Sequence, residues 1–292
     1  MRSDPSGQAL RDMASHLTRS VRAIVWGRLL YLCVLLVVCG GAAEPAPQPD
    51  PHAGPRYEQD AATVKAATQA LLTGRAPALA THVAALEDVQ GRTPADYREI
   101  EETVGEVYYR AANPADFLEF TAWWNARSNT SGTPRKSIVW LDSTYINASF
   151  MLGWYFNETR QPDRALAALD RGLNFVPGSG RLVVEKGQAL ITLRRIDTAL
   201  ALYNTTLSSD GFRPSKQRAL LLRAKGFCLT EMKQYDAAEQ AYHESLALEP
   251  DHAGAHQELA YIARMKNGGT PTPPVMSTYD KLKKNAAPGA AP

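Results

Sequence analysis

Three segments of the chain repeat one pattern of small and large residues, and this repetition constrains the fold most strongly. Aligned on their glycines, the segments place Gly153, Gly187 and Gly226 at separations of 34 and 39 residues. An alanine and then a large residue follow each glycine, twelve and sixteen positions later: Ala165 and Leu169, Ala199 and Tyr203, Ala238 and Tyr242. Small residues let two helices approach closely where they cross. The period therefore predicts helical hairpins, which must stack on one another to bury their apolar faces.

Proline positions indicate where the second helix of each hairpin ends. Between Tyr235 and Leu248 the apolar residues recur mostly every three to four positions, which indicates a helix with one buried face. Pro250, and Pro177 in the first copy, stop this helix because proline cannot continue the hydrogen-bond ladder. The second copy lacks this proline and is followed by a join, SSDGFRPSK, five residues longer than the period requires.

This pattern resembles the tetratricopeptide repeat (TPR), a helix-turn-helix unit of 34 residues. The resemblance implies an all-α fold, an α-solenoid of antiparallel helical hairpins wound into a TPR-like superhelix. It places the three copies at 146–179, 180–213 and 219–252, and a C-terminal capping helix at 253–266.

The region 57–145 shows a helical period that is out of phase with the repeats. We predict two helices at Glu58–Leu72 and Pro77–Val89, separated at Thr73-Gly74. A third helix is predicted from the apolar stripe Tyr97, Ile100, Val104, Val107 and Tyr108, and a fourth, beginning at Pro114, from Phe117, Phe120 and Trp124. These helices are interpreted either as degenerate TPR-like hairpins or as a separate helical cap.

The N-terminal residues 1–43 have the pattern of a secretory signal peptide. Eleven apolar residues, Leu29 to Cys39, follow basic residues and precede small ones. This run is shorter than the roughly 20 residues that a membrane-spanning helix needs. We expect cleavage after Ala43 and export to the periplasm or envelope, so the chain resembles the exported bacterial type of TPR protein. Two alternatives stay open: Cys39 lies in a lipobox-like sequence and could be lipidated, or the leader is retained as an anchor.

Two further segments are predicted to lie outside the folded body. Residues 44–56 are proline-rich and are expected to act as a semi-rigid linker. Residues 267–292 are rich in Pro, Gly and Ala and are expected to be a disordered tail.

Charge gives no sign of a nucleic-acid partner, and cysteine content rules out a fold held by disulfide bonds once the leader is removed. Removing residues 1–43 takes away five arginines and two aspartates, so 32 basic and 30 acidic residues become 27 and 28. This near-neutral balance gives no indication of a nucleic-acid partner. Only Cys228 remains after cleavage, so an intramolecular disulfide is impossible and packing must hold the fold.

Sequence patterns of enzymes are absent. The chain has no phosphate-binding glycine loop ending in Lys-Ser/Thr, no paired-cysteine zinc spacing, no HExxH and no G-x-S-x-G. His252 and His256 are four residues apart, with His243 in the preceding helix, but Pro250 places His252 in a loop. We therefore expect solvated or capping histidines, no metal, no cofactor and no catalytic residues; an enzyme built on the N-terminal helices is the minor alternative.

The TPR resemblance also implies a binding surface. In that family the first helix of every hairpin lines a concave groove that binds extended peptides. The corresponding residues here are Asn147, Phe150, Trp154, Asn157, Arg181, Val184, Gln188, Arg223, Phe227, Glu231, Tyr261 and Arg264. Aromatic residues among arginines suit a peptide with apolar anchors and a carboxylate. The alternative is that Trp154 and Phe227 pack between repeats.

The sequence thus predicts an exported scaffold that binds a protein or peptide partner in its groove within the bacterial envelope. Phe150 and Trp154 occupy places where some family members carry a lysine and an asparagine for a chaperone's terminal carboxylates, so chaperone-tail recognition is not expected. The alternative function is a structural assembly subunit or homo-oligomeric strut of an envelope complex. Contact with a membrane is expected only through the leader or through lipidation at Cys39.

Overall fold

The computed structural model of this chain describes residues 47–48, 50, 54–131 and 135–270, with backbone alone at 129–131. The predicted signal peptide and the tail after Thr270 lie outside these residues. No helix within the described ranges is long and apolar enough to cross a membrane.

The described N-terminal region contains three helices and a small sheet. In chain order these are α1 (Pro55–Leu79), a 3-10 turn (Ala80–His82), α2 (Val83–Gly91), β1 (Ile100–Glu102), β2 (Glu106–Tyr109), α3 (Pro114–Ser131) and β3 (Ser137–Trp140). The repeat region follows as α4 (Thr144–Glu158), α5 (Pro162–Phe175), α6 (Gly180–Thr192), α7 (Ile196–Ser208), α8 (Ser215–Glu231), α9 (Tyr235–Leu248) and α10 (Ala253–Lys266).

The helices α4 to α10 pack in consecutive antiparallel pairs, which confirms the predicted all-α solenoid of helical hairpins. Adjacent first helices, α4 with α6 and α6 with α8, also pack on each other, more closely than the second helices do. First helices therefore lie on the inner side of the array. The capping helix predicted at 253–266 coincides with α10, whereas α8 begins four residues before the predicted start of the third copy at 219.

Each hairpin is closed by contact between the repeated glycine of its first helix and the repeated large residue of its second. A Cβ atom added at Gly153 would overlap Leu169, and one at Gly187 would overlap the Tyr203 ring. At Gly226 the added atom would lie 2.9 Å from Tyr242. The glycines are thus required by close packing rather than by backbone conformation.

The turn inside every hairpin also repeats. Arg160, Arg194 and Lys233, each seven residues after the repeated glycine, have positive φ angles of 59°, 59° and 61°. The following residue donates its N–H to a carbonyl five residues back, as Arg195 does to Leu190 at 2.8 Å. This is the Schellman type of helix end, which satisfies the last carbonyls of the first helix and reverses the chain.

The third predicted N-terminal helix is wrong: its residues form a β-hairpin. β1 pairs antiparallel with β2, with Ile100 opposite Tyr109, and β3 pairs parallel with β2. Val107 and Tyr109 alternate into an apolar cluster with Phe120, as a strand requires. The apolar spacing fitted a helix by count, but the run Val107-Tyr108-Tyr109 favours strand by residue type.

The two earlier helices are present, and they cover the start of the repeats. The break predicted at Thr73-Gly74 lies at Arg75, where φ is 56° and ψ is −144° inside α1. Both α1 and α2 pack on α4, and Val64 and Leu86 share one core with Met151. They therefore act as a cap for the exposed end of the first hairpin.

The predicted linker at 44–56 is not free along its whole length. Gln48 donates its N–H to the carbonyl of Trp140 at 2.8 Å and extends the sheet at the edge of β3. The Asp50 carboxylate lies 2.7 Å from the guanidinium of Arg110, and both side chains are buried. This segment is held by the sheet because a backbone hydrogen bond and a buried ion pair fix it before α1 begins.

The glycine contact gives a direct test of the hairpin packing. We expect Gly187→Ala to lower the free energy of unfolding by about 1–3 kcal/mol, because the added methyl group overlaps the Tyr203 ring. Gly211→Ala is the matched control, since an added Cβ atom there meets nothing within 4 Å. Denaturant unfolding monitored by circular dichroism measures both; equal stability of the two variants would contradict the proposed packing.

Candidate partner-binding groove

Four side chains occupy the same position on the helices that form the inner side of the array and its end. Trp154 on α4, Gln188 on α6 and Phe227 on α8 each follow a repeated glycine, and Tyr261 on α10 lies 34 residues after Phe227. We call Trp154, Gln188, Phe227 and Tyr261 the central row. The first three are half-buried and Tyr261 is 6% exposed.

The predicted groove residues nearest the N-terminal ends of the first helices make contacts inside the molecule. Arg181 Nη2 donates to Asn147 Oδ1 at 3.0 Å, which joins the equivalent positions of two successive repeats. The same guanidinium lies 5.5 Å from the centre of the Phe150 ring, which is buried. Asn147, Phe150 and Arg181 are thus brought together in a contact between two successive repeats.

The three strands and α3, which we call the sheet element (residues 97–140), lie against this end of the groove. Glu119 Oε2 accepts a hydrogen bond from Ser215 N, the first residue of α8, at 2.7 Å. Gln217 Oε1 accepts one from Gly180 N at 2.9 Å, and the Gln217 side chain also bonds to the Asp116 carboxylate. Acidic and amide side chains therefore satisfy the N-terminal ends of α6 and α8.

Carboxylates of the sheet element face the arginines of the array. Burial raises the pKa of Glu99 to about 7, although Arg181 and Arg213 oppose this shift. Burial likewise raises the pKa of Asp116, again against the charge of Arg181. Desolvation outweighs the attraction of Arg181 at both sites, so the pKa of each carboxyl stays above its usual value.

The long join between the second and third copies has a structural role. Its Phe212 packs edge-on against Tyr109 and Phe120 of the sheet element, with ring centres 5.5 and 5.2 Å apart, and 5.3 Å from Trp123. The extra residues carry this ring out of the repeat and into the aromatic cluster. Sequence reasoning identified the long join but not Phe212; an aromatic residue inside the extra segment was the available signal.

Arg223 is a buried structural residue, which corrects its assignment as an exposed groove contact. It is 6% exposed, and its Nη1 donates to Ser245 Oγ at 2.9 Å and Glu249 Oε2 at 2.5 Å on the second helix of its own repeat. The end of α9 packs against α8 and carries both partners, so the Arg223 guanidinium points across the hairpin instead of into the groove.

Asn157 and Glu185 form a polar contact between the first two repeats. Asn157 Nδ2 donates to the Glu185 carbonyl at 2.9 Å and to Glu185 Oε2 at 2.8 Å. Burial raises the pKa of Glu185 to about 7, the hydrogen bond from Asn157 lowers it, and the charge of Glu158 adds to the rise. Glu185 was not among the predicted site residues, because a charged residue on a buried helix face gives no periodic signal.

The remaining predicted residues are partly accessible. Val184 and Glu231 are half-buried, Val184 packs partly against the core of the second repeat, and Arg264 is exposed. Of the twelve predicted groove residues, Trp154, Gln188 and Phe227 of the central row therefore lie half-buried on three adjacent first helices, with an aromatic side chain on each side of one amide.

Groups with reactive chemistry are dispersed. Within the described ranges, no three His, Cys, Asp or Glu side chains are placed to hold a metal ion. His252 Nδ1 accepts from Ala255 N at 3.1 Å and caps α10, while His256 Nε2 lies 2.8 Å from the Pro250 carbonyl. His243 is exposed on α9. These positions suit capping for His252 and solvation for His243.

The repeated glycine contact and the repeated left-handed turn decide the fold assignment. Residues 144–266 form a tetratricopeptide-like array. No protein-family model matches the sequence, and no curated protein matches it.

Solved structures similar to the chain are TPR proteins. The first TPR domain of human RPAP3 is 18% identical, with a TM-score of 0.38 over 42% of this chain and 93% of that one. The first TPR of Spaghetti (RPAP3), bound to the HSP90 peptide SRMEEVD, is 19% identical, with a TM-score of 0.38 over 43% and 96%. The thermophilic TPR protein TTC0263 of Thermus thermophilus is 15% identical, with a TM-score of 0.36 over 70% and 98%. The likeness concerns fold alone.

The buried Glu185 predicts a pH dependence of stability. The pKa of Glu185 rises from 4.5 to about 7 on folding, because burial disfavours the charged carboxylate. The folded protein therefore keeps its full free energy of unfolding below pH 4.5 and loses part of it as pH rises through 7. Glutamine does not ionise, so we expect the variant Glu185→Gln to avoid this loss of about 3 kcal/mol. The free energy of unfolding of the variant, relative to wild type, should therefore increase between pH 5 and pH 8.

Thermal unfolding at a series of pH values measures this effect. Glu244→Gln, at an exposed position on α9, serves as the control and should keep the shape of the wild-type profile. A stability difference between Glu185→Gln and wild type that stays constant from pH 5 to pH 8 would show that Glu185 is ionised throughout.

The structural role of Arg223 is tested by truncation. We expect Arg223→Ala to lower the free energy of unfolding by about 2 kcal/mol or more, because Ser245 and Glu249 lose a buried charged donor. Lys225→Ala removes a cation from the same helix and should cost less, since Lys225 is half-buried. Urea unfolding compares the two; a stable Arg223→Ala protein would restore Arg223 as a candidate groove residue.

Proposed function

We propose that the chain is a protein-interaction scaffold that binds an extended segment of a partner protein along the central row. The observation that carries this proposal is the alignment of Trp154, Gln188 and Phe227 on three adjacent first helices, each side chain half-buried. A half-buried aromatic side chain is a typical anchor of a protein interface. No chemical step is required, because binding at a preformed surface is the activity.

The spacing of the row defines the ligand it would take. Packed helices lie about 8–10 Å apart, so Trp154 and Phe227 lie about 16–20 Å apart across α6. An extended peptide rises about 3.3 Å per residue, so apolar side chains five or six residues apart would contact both rings. Gln188 lies between them, and its amide can both donate to and accept from the peptide backbone.

The charges around the row change the ligand predicted from the sequence. Arg223 is paired with Glu249, and Arg181 donates to Asn147 and lies near the carboxyl groups of Asp116 and Glu99, so both guanidinium groups already have contacts inside the protein. A partner carboxylate is therefore not needed for recognition. Apolar contacts supply the affinity in this proposal, and the Gln188 amide fixes the register of the peptide.

We further propose that the protein acts in the bacterial envelope after export. The support is the leader pattern of residues 1–43, with its basic flank, short apolar run and small residues before Glu44. Mass spectrometry of the N-terminus isolated from cells tests this part. A mature chain beginning at Glu44 supports cleavage after Ala43, and a chain beginning at an acylated Cys39 supports lipid anchoring at the envelope; a cytoplasmic chain with an intact leader would refute export.

Site-specific photo-cross-linking in cells tests the groove. A photoreactive amino acid at position 188 should capture a partner, and the combined change Trp154→Ala and Phe227→Ala should reduce the captured amount at least tenfold. The control places the same photoreactive group at position 243, since His243 is exposed on α9, a second helix that contributes no residue to the row.

The outcome also separates the scaffold from a strut. Capture that survives loss of both aromatic rings would refute the central row as the binding surface. Cross-links from position 188 only to a second copy of this chain, with a mass that grows with concentration in light scattering, would favour the homo-oligomeric strut instead.

A further inference from the structure

The chain leaves the described fold at the end of the central row. α10 ends in a reversal at Gly268, which has a φ of 77°, and Gly269 donates its N–H to the Arg264 carbonyl at 2.9 Å. Arg264 lies one helical turn after Tyr261, the last member of the row. This hydrogen bond ends α10, so the helix stops within two turns of Tyr261.

The sequence beyond this point has the chemistry that the row would bind. Residues 276–284 read MSTYDKLKK, with apolar or aromatic side chains at Met276, Tyr279 and Leu282 in a segment otherwise rich in proline, glycine and alanine. Met276 and Leu282 are six residues apart, the spacing that matches the two aromatic rings of the row. These are the large apolar side chains after the proline-rich stretch that ends at Val275.

We propose that residues 276–284 of this same chain occupy the central row until a partner displaces them. The inference rests on the proposed binding function of that row. Twelve residues separate Thr270 from Leu282, and a flexible chain of that length has a root-mean-square span of about 20 Å. Leu229 on α8 shares an apolar core with Ile262 on α10, so α8 and its Phe227 lie within the reach of a segment of this length.

Charge favours this occupant over an acidic segment. Lys281, Lys283 and Lys284 outnumber Asp280 in the segment. The row is bordered, four residues after Trp154 and Phe227, by the half-buried carboxylates Glu158 and Glu231, and by the exposed cation Arg264 at its end. The acidic border therefore lies at α4 and α8, the two helices that carry the aromatic rings of the row.

An intramolecular occupant would set the threshold for binding in trans. A short flexible connection holds the segment near the row at an effective concentration in the millimolar range. Any partner must compete with it, so the apparent affinity of the row falls by the fraction of time that the segment is bound.

Peptide binding to the full-length chain tests the proposal. The probe is a fluorescent synthetic peptide of residues 271–292, titrated by anisotropy into wild type and into the variant Tyr279→Ser with Leu282→Ser. We expect the peptide to bind the variant at least ten times more tightly than wild type, because the variant's own segment no longer competes. Adding Phe227→Ala to the variant should abolish binding, whereas adding His243→Ala, at an exposed position on α9, should leave it unchanged.

Each other outcome is informative. Equal binding to wild type and to the tail variant, or no binding to either, would overturn the proposal. A doubled mass in light scattering that disappears in the tail variant would place the segment in the groove of a second copy, and would overturn the intramolecular form. If the peptide fails to bind while cross-linking at position 188 still captures a partner through Trp154 and Phe227, this inference is wrong and the proposed function stands.

Discussion

The contact between a glycine on one helix and a large side chain on the next is the interaction on which the array depends. Leu169, Tyr203 and Tyr242 each fill the space that a missing Cβ leaves on the facing helix. This close approach fixes the crossing of the two helices within every hairpin, and Ala165, Ala199 and Ala238 are fully buried beside it. Because the contact recurs, successive first helices come to lie side by side, and the surface they form carries the central row.

The sheet element is joined to the repeat array by a hydrogen bond and by aromatic contacts. It supplies Glu119 to the N-terminal end of α8, and it receives Phe212 from the join before that helix. Each contact links residues distant in sequence, so neither end of the groove is independent of the other. The consequence for binding is that the residues near the helix N-termini stabilise the fold, while the central row remains for a partner or for the chain's own C-terminal segment.

Buried charge explains why the arginines predicted as ligand contacts are not the core of the site. A guanidinium inside a protein requires a partner, because leaving it unpaired costs several kcal/mol. Arg223 obtains that partner from α9 and Arg110 obtains it from Asp50 and Glu101. The same cost of burying a charge raises the pKa values of the Glu99 and Glu185 carboxyls to about 7. Apolar and amide groups are then the groups that a partner can meet without disrupting the fold.

The sequence by itself determined the hairpins and their pairing, because the phase of glycine, alanine and large residues reports contacts within each repeat. It also located the long join before α8. Only the tertiary structure decided that Tyr97 to Tyr109 includes a β-hairpin, that Gln48 and Asp50 are held at the sheet, and that Arg223 is buried. The physical reason is that local periodicity records which face of a helix is apolar, whereas strand pairing, ion pairing and burial depend on residues far away in the chain.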